Sequence, residues 1–355
     1  MNIRITRPIQ GGIVNAIPSK SQAHRALICA YLANAPLSIV KYSETCADIE
    51  ATVNCLNAIA NGNELHCEES GSTYRFLLPI IEALRLKTEF KLGERLRERC
   101  VNDSGLTSQY TSGRLMALPL LPEGNTVPVS DNIVSQPYIN LTIATMARFG
   151  VKVIIEDNKY KIEGNNKYKA PEEFIVEGDW SNAAFWLCAG AISENPVTVT
   201  GLNLKSAQGD KAVVKILEKF GATVIRGNDF VTVSASEKKL HAPEIDAGDI
   251  PDLVPVLLVV ARAAEGKTVF NNTERLRLKE SDRLAAMEDV FNSLKNNTII
   301  SSWNDHRIVM SAAVATSLYN ICDTPAIIKG AEAVNKSYPN FWRDFASLGG
   351  IYEEI

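Results

Sequence analysis

The sequence predicts an α/β (α+β) fold with room for two domains, and three observations lead there. Helical and strand patterns alternate along the whole chain. A helix followed by a strand pair occurs twice in the same form. The 355 residues contain no Pro- or Ser-rich linker and no low-complexity stretch, so the length goes into packed cores.

The first element, Met1-Asn2-Ile3-Arg4-Ile5-Thr6, alternates like a half-buried strand and lacks the apolar run of a signal peptide. Residues 11–17 read as a second strand. Pro18-Ser19-Lys20-Ser21-Gln22-Ala23-His24-Arg25 follows where that strand meets a helix, which continues buried through Ala26-Leu27-Ile28-Cys29-Ala30. Open amides at a helix N-terminus favour anions, and Lys20 and Arg25 add full positive charges. Ser19 and Ser21 can cap the helix or donate to an oxyanion. The segment reads as a phosphate or carboxylate site, or else as a capped helix with two solvated bases.

Glu69-Ser70-Gly71-Ser72-Thr73-Tyr74-Arg75 repeats that chemistry at another strand-to-helix junction, with a plain Ser/Thr cap as its alternative. Residues 87–92 read as a strand. Gly93-Glu94-Arg95-Leu96-Arg97-Glu98-Arg99 puts arginines at alternate positions, most simply a solvated, charged edge strand. Residues 107–118 read as a helix. Residues 143–154 and 214–225 resemble each other: each is an amphipathic helix ended by Phe-Gly and followed by a strand. Each strand then turns, at Asp157-Asn158 or Gly227-Asn228, into a second one. Residues 171–179 are extended and mark the domain boundary, ahead of a helix at Trp180.

Further on, Asp252 opens an apolar helix, either as its N-cap or as a general base. In Lys279-Glu280-Ser281-Asp282-Arg283, Ser281 can cap a helix over 281–294 while Lys279 and Arg283 flank its first turn. Glu280 sits among bases that can shift its proton affinity. This copy of the repeat looks clipped, since no hairpin precedes Asn304-Asp305-His306-Arg307. There Arg307 can fork onto a carboxylate, with Asp305 or His306 orienting it. A mixed-charge first turn and a capped helix are the plainer alternatives.

Lysine and arginine number 37 against 41 aspartates and glutamates, a net charge of −4, which argues against a nucleic-acid partner. The seven cysteines are scattered without a CxxC, and only four histidines are present. The expectation is no structural metal, and free thiols in a reducing cytosol. The longest apolar run, residues 253–264, holds Pro255 and Arg262 and is too short to span a bilayer. A soluble cytoplasmic protein is expected.

In their order, these groups resemble the 5-enolpyruvylshikimate-3-phosphate synthase family. The match starts with P-S-K-S-x-x-x-R and residues 71–75. It continues through Thr107-Ser108-Gln109-Tyr110, Val134-Ser135-Gln136-Pro137-Tyr138, Val176-Glu177-Gly178-Asp179 and Gln208-Gly209-Asp210. It ends with Ile250-Pro251-Asp252, residues 279–283, residues 304–307 and Lys336-Ser337-Tyr338-Pro339.

The resemblance implies two domains of repeated βαβαββ units, each like an inside-out barrel and some truncated here. One would be residues 18–177, carrying the shikimate 3-phosphate motifs, and the other residues 1–17 with 178–355, with the site in the cleft. The implied reaction transfers the enolpyruvyl group of phosphoenolpyruvate to the 5-hydroxyl of shikimate 3-phosphate through a tetrahedral ketal, with no metal or organic cofactor. It implies that Lys20, Ser21, Arg25, Thr107, Ser108, Gln109, Ser135, Tyr138, Asp252 and Lys279 hold shikimate 3-phosphate. Lys20, Gly71, Arg99, Gln109, Arg283, Arg307 and Lys336 would surround phosphoenolpyruvate, where the family also admits the herbicide glyphosate. Asp252, Glu280 and Lys20 would move the protons.

Small-molecule substrates, no membrane partner and a monomer are the corresponding expectations. Two places are shorter than the family pattern: after Arg99, where residues 100–104 bridge directly to Thr107, and before Asn304. The first leaves the choice among Arg95, Arg97 and Arg99 open, and Glu69 stands where asparagine is common. A ligand-binding remnant without turnover and a UDP-N-acetylglucosamine enolpyruvyl transferase are the alternatives.

Overall fold

The structure, a computed structural model, describes residues 1–101, 107–122, 125–129, 135–163, 167–236 and 239–355, the side chains of Arg99 and Val101 excepted. The chain divides into two compact units, Pro18–Glu177 and Met1–Ile17 with Gly178–Ile355.

The unit Pro18–Glu177 contains helices α1 (Lys20–Leu32), α2 (Ala47–Asn61), α3 (Gly71–Leu84), α4 (Glu94–Val101), α5 (Ser108–Ala117) and α6 (Gln136–Arg148), with short strands among them. Three starts are capped by the local hydroxyl: Ser19 accepts from Gln22 N, Ser70 from Thr73 N and Thr107 from Tyr110 N. Helix α1 is buried on all sides from Gln22 to Ala30, because its apolar residues do not keep to one face. It shares a core with Leu56, Phe76, Leu77, Leu115, Met116 and Ile139. Each such side chain contributes about 1.5–3 kcal/mol when fully buried.

The expected strand at 87–92 forms over Phe90–Leu92, parallel to Leu65–Glu68. Residues 93–99, which read as an edge strand, instead enter α4. Glu69 explains the difference. Its carboxylate accepts from the backbone N–H of Arg95 (3.3 Å) and of Leu96 (3.0 Å), donors that a helix start leaves open. Leu96 is fully buried.

The unit Met1–Ile17 with Gly178–Ile355 contains α7 (Trp180–Ile192), α8 (Val213–Phe220), α9 (Val254–Ala263), α10 (Arg283–Asn296), α11 (His306–Ala315) and α12 (Phe341–Ser347). One sheet runs Ile300–Ser301, Ala326–Lys329, Asn2–Arg7, Ile351–Glu354. Another runs Thr223–Arg226, Phe230–Ser234, Val197–Thr200, Gly12–Asn15. Helix α7 is the core element, with Trp180, Ala184, Phe185, Trp186 and Leu187 fully buried and Asp179 as its N-cap.

The duplicated helix–hairpin is present in both units. After α6, Gly150 takes φ +78° and Val153–Glu156 pairs with Lys159–Ile162. After α8, Gly221 takes φ +93° and Thr223–Arg226 pairs with Phe230–Ser234. Glycine adopts this left-handed cap without the steric cost of a Cβ. Residues 297–304 hold a single two-residue strand, Ile300–Ser301.

Two helix starts depart from expectation. Helix α10 begins at Arg283, two residues later than foreseen, because Asp282 and not Ser281 caps it, accepting from Leu284 N and Ala285 N at 3.2 Å each. Helix α9 begins at Val254 behind Leu253, with no side-chain cap, so Asp252 is not its N-cap. Among the described residues no helix is long and apolar enough to cross a membrane.

Candidate active site

In the unit Pro18–Glu177 the start of α1 lies beside α2: Lys20 Nζ donates to Asp48 Oδ2 at 2.8 Å. Five residues on, Arg25 is 2% exposed and joins three helices. Its Nε donates to Thr142 Oγ1 (2.6 Å), its Nη1 to Ser21 O (2.6 Å) and its Nη2 to Tyr138 O (3.0 Å) and Ser112 Oγ (3.4 Å). Burial lowers its pKa to about 10, which leaves it charged at neutral pH. His24 stays neutral, pushed to about 3 chiefly by burial, with Nδ1 2.7 Å from Thr52 Oγ1.

Gln109 is fixed from both ends, accepting from Arg75 Nη1 and donating to Ser72 Oγ, each at 3.0 Å. Gly71 opens α3 next to them, and a Cβ there would fall on the Arg75 guanidinium. Thr107 and Ser108 form the start of α5. Ser135, at the start of α6, is 2% exposed and takes φ +74°, a conformation strained for a residue with a Cβ. Val134 of that motif lies outside the described residues, as do residues 102–104 of the bridge after Arg99. Of the alternating arginines, Arg97 is exposed and donates to Leu92 O, Arg95 is half-buried, and the Arg99 side chain is outside the described set.

The other unit has a cluster of its own, organised by Arg283, 2% exposed. Its Nε donates to Asp305 Oδ2 (2.9 Å), its Nη1 to Asp252 Oδ1 (2.7 Å) and its Nη2 to Glu280 Oε2 (2.9 Å). One guanidinium thus holds three carboxylates in its fork geometry. Lys279 Nζ lies 3.3 Å from Asp252 Oδ1, Arg307 Nη2 3.3 Å from Asp252 Oδ2, and Lys336 Nζ 3.6 Å from Glu280 Oε1. Of the two residues expected to orient Arg307, Asp305 and His306, the Asp305 side chain instead takes Arg283, the Ser281 hydroxyl (3.0 Å) and the Arg307 backbone N–H, while Asp252 receives the Arg307 guanidinium.

The charges set the proton affinities. Burial by itself would raise the Asp252 carboxyl, but Arg307, Lys279 and Arg283 outweigh it and hold it well below the usual range. Glu280 is likewise opposed by burial and held well below by Arg283, Lys336, His306 and Lys279. Burial lowers Lys279 despite Asp252. Asp210, bonded to the Ser181 hydroxyl, moves the other way: burial, then Asp252, push it up to about 6.

Nothing in the sequence singles out Asp48, Ser112, Thr142 or Ser181. Ser72 and Arg75 lie in the Gly71-x-x-x-Arg75 motif, whose spacing puts both on the first turns of one helix, and Asp210 lies in the Gln208-Gly209-Asp210 motif; none of the three has a role that its own segment announces.

A buried arginine–carboxylate hub ringed by further cations in one unit, and capped helix starts rich in hydroxyls and bases in the other, are the features of an enzyme that acts on small anions. The comparisons narrow that class. The model of EPSP synthase (3-phosphoshikimate 1-carboxyvinyltransferase) matches residues 3–87 and 99–345, and the chain belongs to the EPSP synthase family. A Clostridium novyi relative named 3-phosphoshikimate 1-carboxyvinyltransferase is 33% identical over 442 aligned positions, covering 99% of this chain and 98% of the relative. One from Clostridium perfringens is 36% identical over 417 positions, covering 96% of each. Both alignments are longer than the 355-residue chain, so the relatives carry stretches absent here.

Among solved structures, an EPSP synthase from Acinetobacter baumannii gives a TM-score of 0.74 at 21% identity over 100% of both chains. An enolpyruvyl transferase from Streptomyces tendae gives 0.69 at 14%, over 99% of this chain and 98% of its own. These two share the α/β fold.

Proposed function

We propose that the protein transfers the enolpyruvyl group of phosphoenolpyruvate to the 5-hydroxyl of shikimate 3-phosphate and releases phosphate. The observation that carries this reading is the hub of Arg283, Asp252, Glu280 and Asp305 with Lys279, Arg307 and Lys336, all within the span of the family match.

Shikimate 3-phosphate is held by Lys20, Ser21, Arg25, Thr107, Ser108, Gln109, Ser135, Tyr138, Asp252 and Lys279. Phosphoenolpyruvate is surrounded by Lys20, Gly71, Gln109, Arg283, Arg307, Lys336 and an arginine of α4. The reaction begins with addition. Asp252 accepts the 5-hydroxyl proton as that oxygen bonds to C2 of phosphoenolpyruvate, and C3 takes a proton to become the methyl of a ketal. Elimination then breaks the C2–O bond to phosphate as a methyl proton leaves.

The resting charges distribute these roles. Glu280 is ionised before substrate arrives, so it is the acceptor in elimination, and the Lys20 ammonium is the donor in addition. Incoming phosphate and carboxylate groups then compete for Arg283, Arg307, Lys279 and Lys336. This weakens their hold on Asp252 and Glu280 and raises both as bases when they are needed. The cations left facing the ligands stabilise the ketal and the departing phosphate. A cytoplasmic monomer accords with this reading.

The test is phosphate release from phosphoenolpyruvate. Release that depends on shikimate 3-phosphate is expected. Tight binding of both ligands without turnover would make the chain a binding remnant, and dependence on UDP-N-acetylglucosamine would overturn the substrate.

A further inference from the structure

Helices α1 and α2 are joined twice, one turn apart. Lys20 Nζ donates to Asp48 Oδ2 at 2.8 Å, and four residues further along both helices His24 Nδ1 lies 2.7 Å from Thr52 Oγ1. Residues four apart share a helix face, so the two contacts are successive rungs of one seam. The outer rung is an ion pair whose lysine is partly exposed. The inner rung is buried at both ends and neutral, because burial keeps the proton off the imidazole against the pull of Asp48.

The inner rung continues beyond Thr52. The Thr52 hydroxyl lies 2.7 Å from Thr73 Oγ1, which lies 2.7 Å from Ser70 Oγ, the cap of α3. Both threonine hydroxyls also approach the Asp48 carbonyl oxygen, Thr52 at 3.5 Å and Thr73 at 3.4 Å. Four buried polar side chains thus tie together the opening turns of α1, α2 and α3, which carry Lys20, Asp48 and Gly71. Buried hydroxyls cost free energy unless they are bonded; once bonded, they fix distance and direction in a way that packed alkyl groups do not. The proposed function brings anions to Lys20, and an anion competes with Asp48 for the ammonium. The inner rung has no charge for that anion to draw off, so it keeps α1 in register with α2 when the outer rung yields.

We propose that the chain from His24 through Thr52 and Thr73 to Ser70 is a positioning device for Lys20, holding the opening turns of α1, α2 and α3 in register so that the ammonium stays aimed while it delivers its proton. The proposal deepens the transferase reading and rests on it. His24 and Thr52 touch no substrate; they act through Asp48 and Lys20.

Three variants of the full chain test it by kinetics. Thr52→Val keeps the shape and removes the hydroxyl, Thr52→Ser keeps the hydroxyl, and Ile59→Ala opens the same core at the other end of α2. Thr52→Val is expected to lower kcat about tenfold, with either KM changing by no more than about twofold. Thr52→Ser is expected to recover most of that loss. Ile59→Ala is expected to lose stability and keep its kcat, which separates aim from stability alone. An unchanged kcat in Thr52→Val, or an equal fall in Ile59→Ala, would overturn the proposal. A double-mutant cycle on urea midpoints reads the chain without any substrate. Thr52 and Ser70 are joined through Thr73, so Thr52→Val and Ser70→Ala are expected to cost less together than the sum of the two alone. Strict additivity would show separate bonds in place of one chain and overturn the proposal. If the parent releases no phosphate, the transferase reading falls and takes the aim of Lys20 with it, while the cycle still decides whether the four side chains act as one.

Discussion

Asp305 Oδ2 accepts from Arg283 Nε at 2.9 Å, with the two side chains 0% and 2% exposed. The same carboxylate caps α11 and takes the Ser281 hydroxyl, so the packing of α10 on α11 and the aim of the guanidinium toward Asp252 and Glu280 are one arrangement.

Removing Asp305 is therefore expected to cost stability as well as activity. Asp305→Ala leaves a buried guanidinium short of one partner and α11 without its cap. A loss of about 3–5 kcal/mol follows from breaking such a pair. Asp305→Asn keeps a capping oxygen and an acceptor for Nε, and a clearly smaller loss is expected. Urea unfolding of the three proteins measures this; an Asp305→Ala midpoint equal to that of the parent would show that the pair does not hold the unit.

The carboxyls of this unit give stability two pH slopes of opposite sign. Asp252 and Glu280 have folded values well below their unfolded ones. Their contribution is complete above about pH 4 and is lost as pH falls below that, toward the folded values. Asp210 is raised to about 6 in the folded state. Its contribution is present below about pH 4 and is lost as pH rises through 6. Asp210→Asn removes the second slope and leaves the first. Denaturant midpoints from pH 3 to 8 should show the parent losing ground to Asp210→Asn between about pH 4 and 7, with both failing below about pH 4. Parallel curves across the whole range would refute the assignment to Asp210.

Lys20 is tied to the buried Asp48 at 2.8 Å, so losing its charge lowers stability, but its helix is packed through its apolar core and persists without it. Lys20→Ala is expected to lower kcat by about 10²–10⁴-fold, the range for a lost proton donor, while the far-ultraviolet dichroism stays that of the parent. Near-normal turnover would sink the role given to Lys20.

What the sequence made legible was local. Ser19, Ser70, Thr107 and Asp179 cap helices because the hydroxyl or carboxylate and the amide it accepts from lie within a turn of each other. The Phe-Gly stops and the hairpins after them are equally local. What misled was decided at a distance. Ser281 and Asp282 are both competent caps, and Asp305, more than twenty residues on, settles the matter by drawing off the Ser281 hydroxyl. The arginine run becomes helix because Glu69, from an earlier turn of chain, caps it. For the site, residue types were readable and their partners were not. Arg25 reads as a ligand cation, yet it is also the buried clamp between α1, α5 and α6, through Ser112, Tyr138 and Thr142, which no spacing in its own segment announces.

Gly71 offers a last measurement, because a methyl there meets the Arg75 guanidinium before it meets open space. Arg75 is the far end of a flexible side chain and can yield, but in yielding it releases Gln109, which it holds at 3.0 Å. Gly71→Ala is therefore expected to act through Gln109, raising the KM for phosphoenolpyruvate about tenfold, or about 1.4 kcal/mol. Gln109→Ala should reproduce most of that effect, and the double variant should be no worse than the more damaging single one, since both remove the same contact. Kinetics on the three variants decide it: effects that multiply in the double variant would mean that the methyl crowds the ligand directly and that the path through Arg75 is wrong.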